Sequence, residues 1–372
     1  MRTTSDCLPC FLRQALGTAR RSTTDPARHW QLVGEVGTLL ATFDPQLSPP
    51  ENAIHFYRLI AARTGTTDPF AAEKAESNRF AQGLEPRTRE LIRSTSDPLR
   101  TAIQFAISAN VLDYGAQHLL DRDEALAACR QPLAIDHSAA LCPRLVPGAD
   151  ILYLADNCGE IVFDRLVVEQ LLARGCRVTV AVRSQPIIND ATREDAVACG
   201  LDQLCEVIDS GSDAPGTPLA LCSPAFRARF ASADCVIAKG MGNFESLSDT
   251  PAPLFFLFVV KCTTVLTHLR ARFPAVGLEI GSPVLLQGDA LRGAVAACTA
   301  MQVAVLSDIH GNWRALEAVL VDLDRLGVSE ILSLGDNIGY GPEPMLSPRL
   351  RISLTPSRSR STSTALSARQ LP

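Results

Sequence analysis

Two strand-to-helix handovers in this 372-residue chain set an acid beside an amide. "LADNCGEIVFDRL", Leu154 to Leu166, follows the apolar run Ile151-Leu152-Tyr153-Leu154 and puts Asp156-Asn157 at the mouth of a helix. "VRSQPIINDAT" ends the next strand-like run and puts Asn189-Asp190 in the same place. Each is open to a local reading: Asn157 with Glu160 three residues on fits an N-cap with a reciprocal carboxylate, and Asp190 fits a cap too. Together, two such turns bring several oxygen donors to one sheet edge. Oxygen ligation by Asp156, Asn157 and Asp190 suits a hard divalent ion, Mg²⁺ or Mn²⁺, and also admits Co²⁺ or Ni²⁺. Structural zinc would ask for Cys and His.

A third stretch adds positive charge. "DCVIAKGMGNFESL" ends a strand at Lys239 and enters a glycine-containing turn. An ammonium there can meet a phosphate oxygen, as can the turn's N–H groups and the helix start after Asn157. A metal at the Asp-Asn turn would lower the pKa of a bound water and neutralise charge developing on a phosphoryl group. The set therefore suits phosphomonoester hydrolysis, in which positioning and charge do most of the work.

The elements that must position these residues are legible from periodicity. From residue 5 to 147 the chain reads as helical: "HWQLVGEVGTLLATF" and "IHFYRLIAARTG" show three-to-four-residue apolar spacing, and "STSDPLRTAIQFAISANVLDYG" opens with a cap and a proline. From 148 to 296 short β-rich runs ("ILYLA", "RVTVAV", "QLCEVI", "DCVIAK", "LFFLFVV") alternate with helical stretches. That alternation predicts an α/β fold: a helical region packed on a Rossmann-like, mostly parallel sheet, with ligands outside the carboxyl ends of the strands.

Composition narrows the function classes. Charged residues make up 20% and hydrophobic ones 47%, with a formal net charge of -5. No broad basic stripe is present, which disfavours nucleic-acid partners. The most apolar stretch, "PLFFLFVVKC", is too short to span a bilayer and breaks at Lys261, so no membrane partner is expected. Twelve cysteines without an export signal predict reduced thiols and a cytoplasmic location. Only Cys7 and Cys10 form a CxxC pair, and one pair cannot fill a four-ligand zinc site; packing on a helix is expected of them. Oligomeric state is left open.

Residues 5 to about 295 resemble the damage-control phosphatases, whose shared metal-binding domain was long called domain of unknown function 89. "CLPCFLRQAL", "IAARTGTTDPF", "EKAESN", "SDPLRTAIQFAISANVLDYG", "LADNCGEIVFDRL", "PIINDAT", "VIAKGMGNFESL" and "FFLFVVKC" carry the likeness in similar order and spacing. The cysteine pair resembles the prokaryotic branch. The resemblance implies a metal-dependent phosphatase of small phosphorylated metabolites such as sugar phosphates. It implies Asp156, Asn157 and Asp190 as metal ligands and Lys239 on the phosphate side, with Glu160, Asn243 and Glu245 as pocket candidates. Asn110 and Asp113 share a helix face and either reach the site or brace the domain contact. The alternative on this scaffold is methyl transfer from S-adenosylmethionine to protein carboxylates, for which "DNCGEI" supplies only one glycine.

Residues 301–346 resemble the first part of a calcineurin-like metallophosphoesterase. "VLSDIHGN" and "LSLGDNIGYGPEP" imply Asp308, His310 and Asp336 as remnants of a two-metal site, but His310 is the last histidine and the later ligands are missing. The segment opens at Met301, which suggests a neighbouring gene's product joined on and hence an inactive fusion. Residues 347–372 then read as an out-of-frame, disordered tail. Genomic sequence across the junction tests this: an intact second domain in another frame supports it, and clean sequence to Pro372 sinks it.

Overall fold

The computed structural model describes residues 1–109, 126, 131–291, 303–306, 312–325, 330–333 and 364–366. Asn110, Asp113, Asp308, His310 and Asp336 lie outside the described residues. The chain divides into two compact units, Met1–Gly293 and Ala294–Pro372.

In the first unit five helices come first: α1 (Cys7–Ser22), α2 (Pro26–Leu40), α3 (Pro49–Thr64), α4 (Ala71–Arg93) and α5 (Pro98–Ser108). Their starts follow from local chemistry. Asp25 and Asp97 accept from helix N–H groups, Ser48 with Glu51 forms a capping box, and prolines occupy the first turns of α2, α3 and α5. The sheet contains β1 (Ile135–Asp136), β2 (Asp150–Leu154), β3 (Arg177–Val182), β4 (Glu206–Asp209), β5 (Cys235–Lys239), β6 (Leu254–Val259) and β7 (Pro283–Gln287), in the order β1-β7-β6-β5-β2-β3-β4. β2 to β6 are mutually parallel, while β7 runs antiparallel to β6.

Two strands were not foreseen. β1 has only two residues and falls within the segment expected to be helical. β7 is a five-residue run, buried save at its last residue, with no polar alternation to mark it. Among the strands lie α6 (Ser138–Leu141), α7 (Glu160–Ala173), α8 (Arg193–Ala198), α9 (Pro224–Ser232), α10 (Met241–Leu247) and α11 (Thr263–Arg272), and both sheet faces are covered. Ile151 and Tyr153 of β2 join one core, while Leu152 and Leu154 join the other. A third apolar cluster unites α1, α2 and α3 and extends to Ile187, in the loop after β3.

β2 is the switch point. The chain runs outward through β3 and β4 on one side, then returns to start β5 on the other. Leu154 is in register with both Ala181 and Ala238, so the carboxyl ends of β2, β3 and β5 share one edge. That crevice is where ligands bind in such sheets. Among the described residues no helix is long and apolar enough to cross a membrane.

In the second unit β8 (Val303–Leu306) pairs parallel with β9 (Glu330–Ser333), and α12 (Trp313–Arg325) lies between them in sequence. β10 (Thr364–Leu366) pairs antiparallel with β9. The tail was expected to hold no structure. Three of its residues nonetheless add an edge strand, which needs backbone groups and no core.

Candidate active site

The turns after β2 and β3 are zipped together by their backbones. Ala191 N–H donates to Asp156 O (2.7 Å) and Cys158 N–H to Asn189 O (2.8 Å), closing an antiparallel bridge between Asn157 and Asp190. This places Asp156, Asn157 and Asp190 side by side, all buried and all lining one cavity of about 310 Å³. Just before Asp190, Ile188 has φ +46°, alone among the described non-glycine residues in the left-handed region. Such strain in a β-branched residue persists only where its surroundings impose it.

The capping alternatives do not hold. Helix α7 (Glu160–Ala173) is preceded by Gly159, with no side-chain cap. Helix α8 (Arg193–Ala198) is capped by Thr192 with Asp195, not by Asp190. Asn157 instead turns its amide nitrogen to Asp156 Oδ2 (3.1 Å) and Glu160 Oε1 (2.8 Å). Carboxylates accept, so the amide's NH₂ faces them, and its carbonyl oxygen is left for the cavity. The start of α7 is less open than the sequence suggested. Gly159 N–H is taken by Asn78 Oδ1 of α4 at 2.7 Å, and Cys158 N–H by Asn189.

Lys239 does not line the cavity. It is fully buried, with Nζ 2.9 Å from both Glu160 Oε2 and Asp164 Oδ1. Burial alone would lower its pKa, but Asp164 and Glu160 outweigh that and raise it. Asn243 is also buried, and its amide donates to Lys239 O (2.6 Å) and Ala155 O (3.3 Å), tying helix α10 (Met241–Leu247) to the strand ends. Glu245 lines the cavity.

Sequence reading missed two cations. Arg183, directly after β3, donates from Nε to Asp190 Oδ2 (2.7 Å), from Nη1 to Thr217 Oγ1 (3.1 Å) and from Nη2 to Asn243 Oδ1 (3.3 Å). Its Nη2 lies 3.8 Å from Asp156 Oδ1. Lys261, two residues beyond β6, is the one cationic side chain among the described residues that line the cavity. Both follow an apolar strand, the signal that singled out Lys239.

The electrostatics favour a cation. Four buried carboxylates (Asp156, Glu160, Asp164, Asp190) face two buried cations (Arg183, Lys239), which leaves two formal negative charges. Burial, then Asp190 and Glu160, push the Asp156 carboxyl well above its ordinary range despite Arg183 and Lys239. Burial also raises Asp190 against Arg183, and lifts Asp164 to about 6. Buried charge left uncompensated is costly. A divalent ion held by the oxygens of Asp156, Asn157 and Asp190 would offset both charges. Two carboxylates and an amide oxygen are a hard donor set. Among the described residues no group of three or more His, Cys, Asp or Glu is arranged to hold a metal ion; the set here has two carboxylates and relies on the Asn157 amide oxygen for its third donor.

Comparison with known proteins places these features in context. Residues 3–274 match the model for the damage-control phosphatase ARMT1-like domain. A protein of Archaeoglobus fulgidus named damage-control phosphatase is 32% identical over 288 residues, covering 75% of this chain and 96% of that protein. A second damage-control phosphatase, from Pyrococcus horikoshii, is 30% identical over 275 residues, covering 73% of this chain and 95% of that protein. The crystal structure of a DUF89 family protein from Pyrococcus horikoshii superimposes with a TM-score of 0.70 at 29% identity, covering 77% of this chain and 99% of that one.

Proposed function

This chain belongs to the damage-control phosphatase ARMT1-like domain family, and from that premise we propose that it is a divalent-metal-dependent phosphatase of small phosphorylated metabolites, sugar phosphates among them. The observation that carries the reading is the excess of two buried negative charges around Asp156, Asn157 and Asp190, at the wall of a cavity of about 310 Å³. That volume lies at the low end of the ~300–1,000 Å³ usual for small-molecule sites.

Each side chain has work in this reading. Asp156, Asn157 and Asp190 hold the ion, whether Mn²⁺, Co²⁺, Ni²⁺ or Mg²⁺. When bound, the ion supplies Lewis acidity and a more acidic water. Arg183 fixes the Asp190 carboxylate. Lys239 pairs with Glu160 and holds it in place, and Glu160 orients the Asn157 amide so that its oxygen faces the cavity; such supporting hydrogen bonds set ligand geometry. Lys261 is the cation available to phosphoryl oxygens. Phe11, Ala53, Met241 and Phe258 supply apolar wall that limits the organic part of the substrate.

The test is phosphate release from a panel of sugar phosphates and an aryl phosphate, with EDTA and with each of the four metals. Asp156→Ala should abolish release, and it should also abolish the rise in melting temperature that added metal gives the unmodified protein. Folded protein that releases no phosphate with any metal would overturn the reading.

A further inference from the structure

Glu245 differs from the other carboxyls of the site. It sits on α10 with Met241 and Gly242 four and three residues before it, a single helix face, and all three line the cavity shared with Asp156, Asn157 and Asp190. Asp190 is anchored by Arg183, and Asp156 accepts from Asn157, whereas the carboxyl oxygens of Glu245 have no hydrogen-bond or ion-pair partner among the described residues. The same cavity wall carries Cys7 and Cys10 of α1, Phe258, Lys261 and Cys262, of which Cys10 and Cys262 are near enough to feel the Glu245 charge.

Hydrolysis of an alkyl phosphate is accelerated by a group of this kind. When the P–O bond to carbon-bearing oxygen breaks, that oxygen leaves with the electron pair, and an alkoxide is a poor leaving group. We propose that Glu245 is the proton donor to that leaving oxygen, a role that rests on the phosphatase reading above. Water adds to phosphorus as the P–O bond breaks. The leaving oxygen takes the Glu245 proton and departs as an alcohol. The attacking water loses a proton to solvent, and Glu245 regains one from solvent, so the cycle consumes only water. The carboxyl's state fits the role. Burial lifts it to about 7 against the lowering pull of the chain's amino group, so a large share is protonated at neutral pH.

Leaving-group dependence tests the role. An alkyl ester such as a sugar phosphate needs the acid; 4-nitrophenyl phosphate, whose phenolate leaves readily, does not. In the metal-loaded full chain, Glu245→Gln should lower kcat on the alkyl ester by roughly 10²–10⁴-fold and on the nitrophenyl ester by less than about tenfold. It should also remove the decline of alkyl-ester activity as pH rises through 7. Glu245→Asp keeps an acid with shorter reach and should recover part of the alkyl-ester rate. Equal losses on both esters, or no loss on either, overturn the role of Glu245 while leaving the phosphatase reading intact. Unmodified enzyme inactive on both esters overturns the reading, and this role with it.

Discussion

The Lys239 ammonium lies 2.9 Å from Glu160 Oε2, with no solvent exposure on the lysine and almost none on the acid. The pair is a brace: Glu160 spends its other oxygen on the Asn157 amide, and Asp164, also on Lys239, accepts from Tyr153 OH at 2.7 Å. Replacing Lys239 by Met keeps the bulk and takes the ammonium away from two buried carboxylates. The expected cost is about 3–5 kcal/mol of unfolding free energy, read from urea melts. Phosphatase activity should also fall, because Glu160 would lose the ion pair that fixes it against the Asn157 amide. A melt unchanged from the unmodified protein would show that the brace carries no load.

Arg183→Lys tests orientation at constant charge. A lysine cannot reproduce the fork that meets Asp190, Thr217 and Asn243 together. Metal affinity should drop roughly 10–100-fold, the usual effect of losing a partner that orients a ligand. Titrating Mn²⁺ against the melting temperature of each variant measures this without turnover. Equal midpoints would mean that Asp190 is held by its backbone bridge alone.

Much of the site was readable from the chain because it is local. Asp156-Asn157 and Asn189-Asp190 each follow an apolar strand within a few residues, and parallel strands of one sheet must share an edge. The partners of those residues were harder to see. Glu160 and Lys239 meet across 79 residues, and nothing in either neighbourhood shows that the ammonium turns away from the cavity. The brace from Asn78 to Gly159 spans 81 residues and was equally hidden, although "EKAESN" had stood out as a motif. β1 was missed because two residues carry no periodicity, and β7 because strands buried on both faces do not alternate.

Gly240→Ala probes how closely the β5 turn approaches Asp156. Gly240 has φ +80°, and a Cβ there would overlap Asp156 Oδ2. The left-handed backbone alone costs an alanine roughly 1–2 kcal/mol, and the overlap must push the Asp156 carboxylate aside. The variant should therefore lose stability and also its metal-induced rise in melting temperature. If it loses stability alone, Asp156 has room to yield without leaving the metal.

Glu245→Gln should reshape stability against pH, independently of turnover. The folded carboxyl titrates near 7, above its ordinary 4.5. Between those values the native state holds a proton that the unfolded chain has released. Stability contributed by that proton is therefore lost as pH rises through this window. Glutamine does not titrate, so this part of the slope disappears. Urea midpoints of the two proteins should lie nearest the unmodified protein's advantage below pH 4.5, shift toward the Gln variant as pH rises to 7, and level off above it. Asp156 and Asp190 titrate in both proteins and leave the comparison unaffected. Parallel curves from pH 5 to 8 would mean that the Glu245 carboxyl is solvated as an ordinary surface acid, and would remove the protonated donor on which the leaving-group assignment depends.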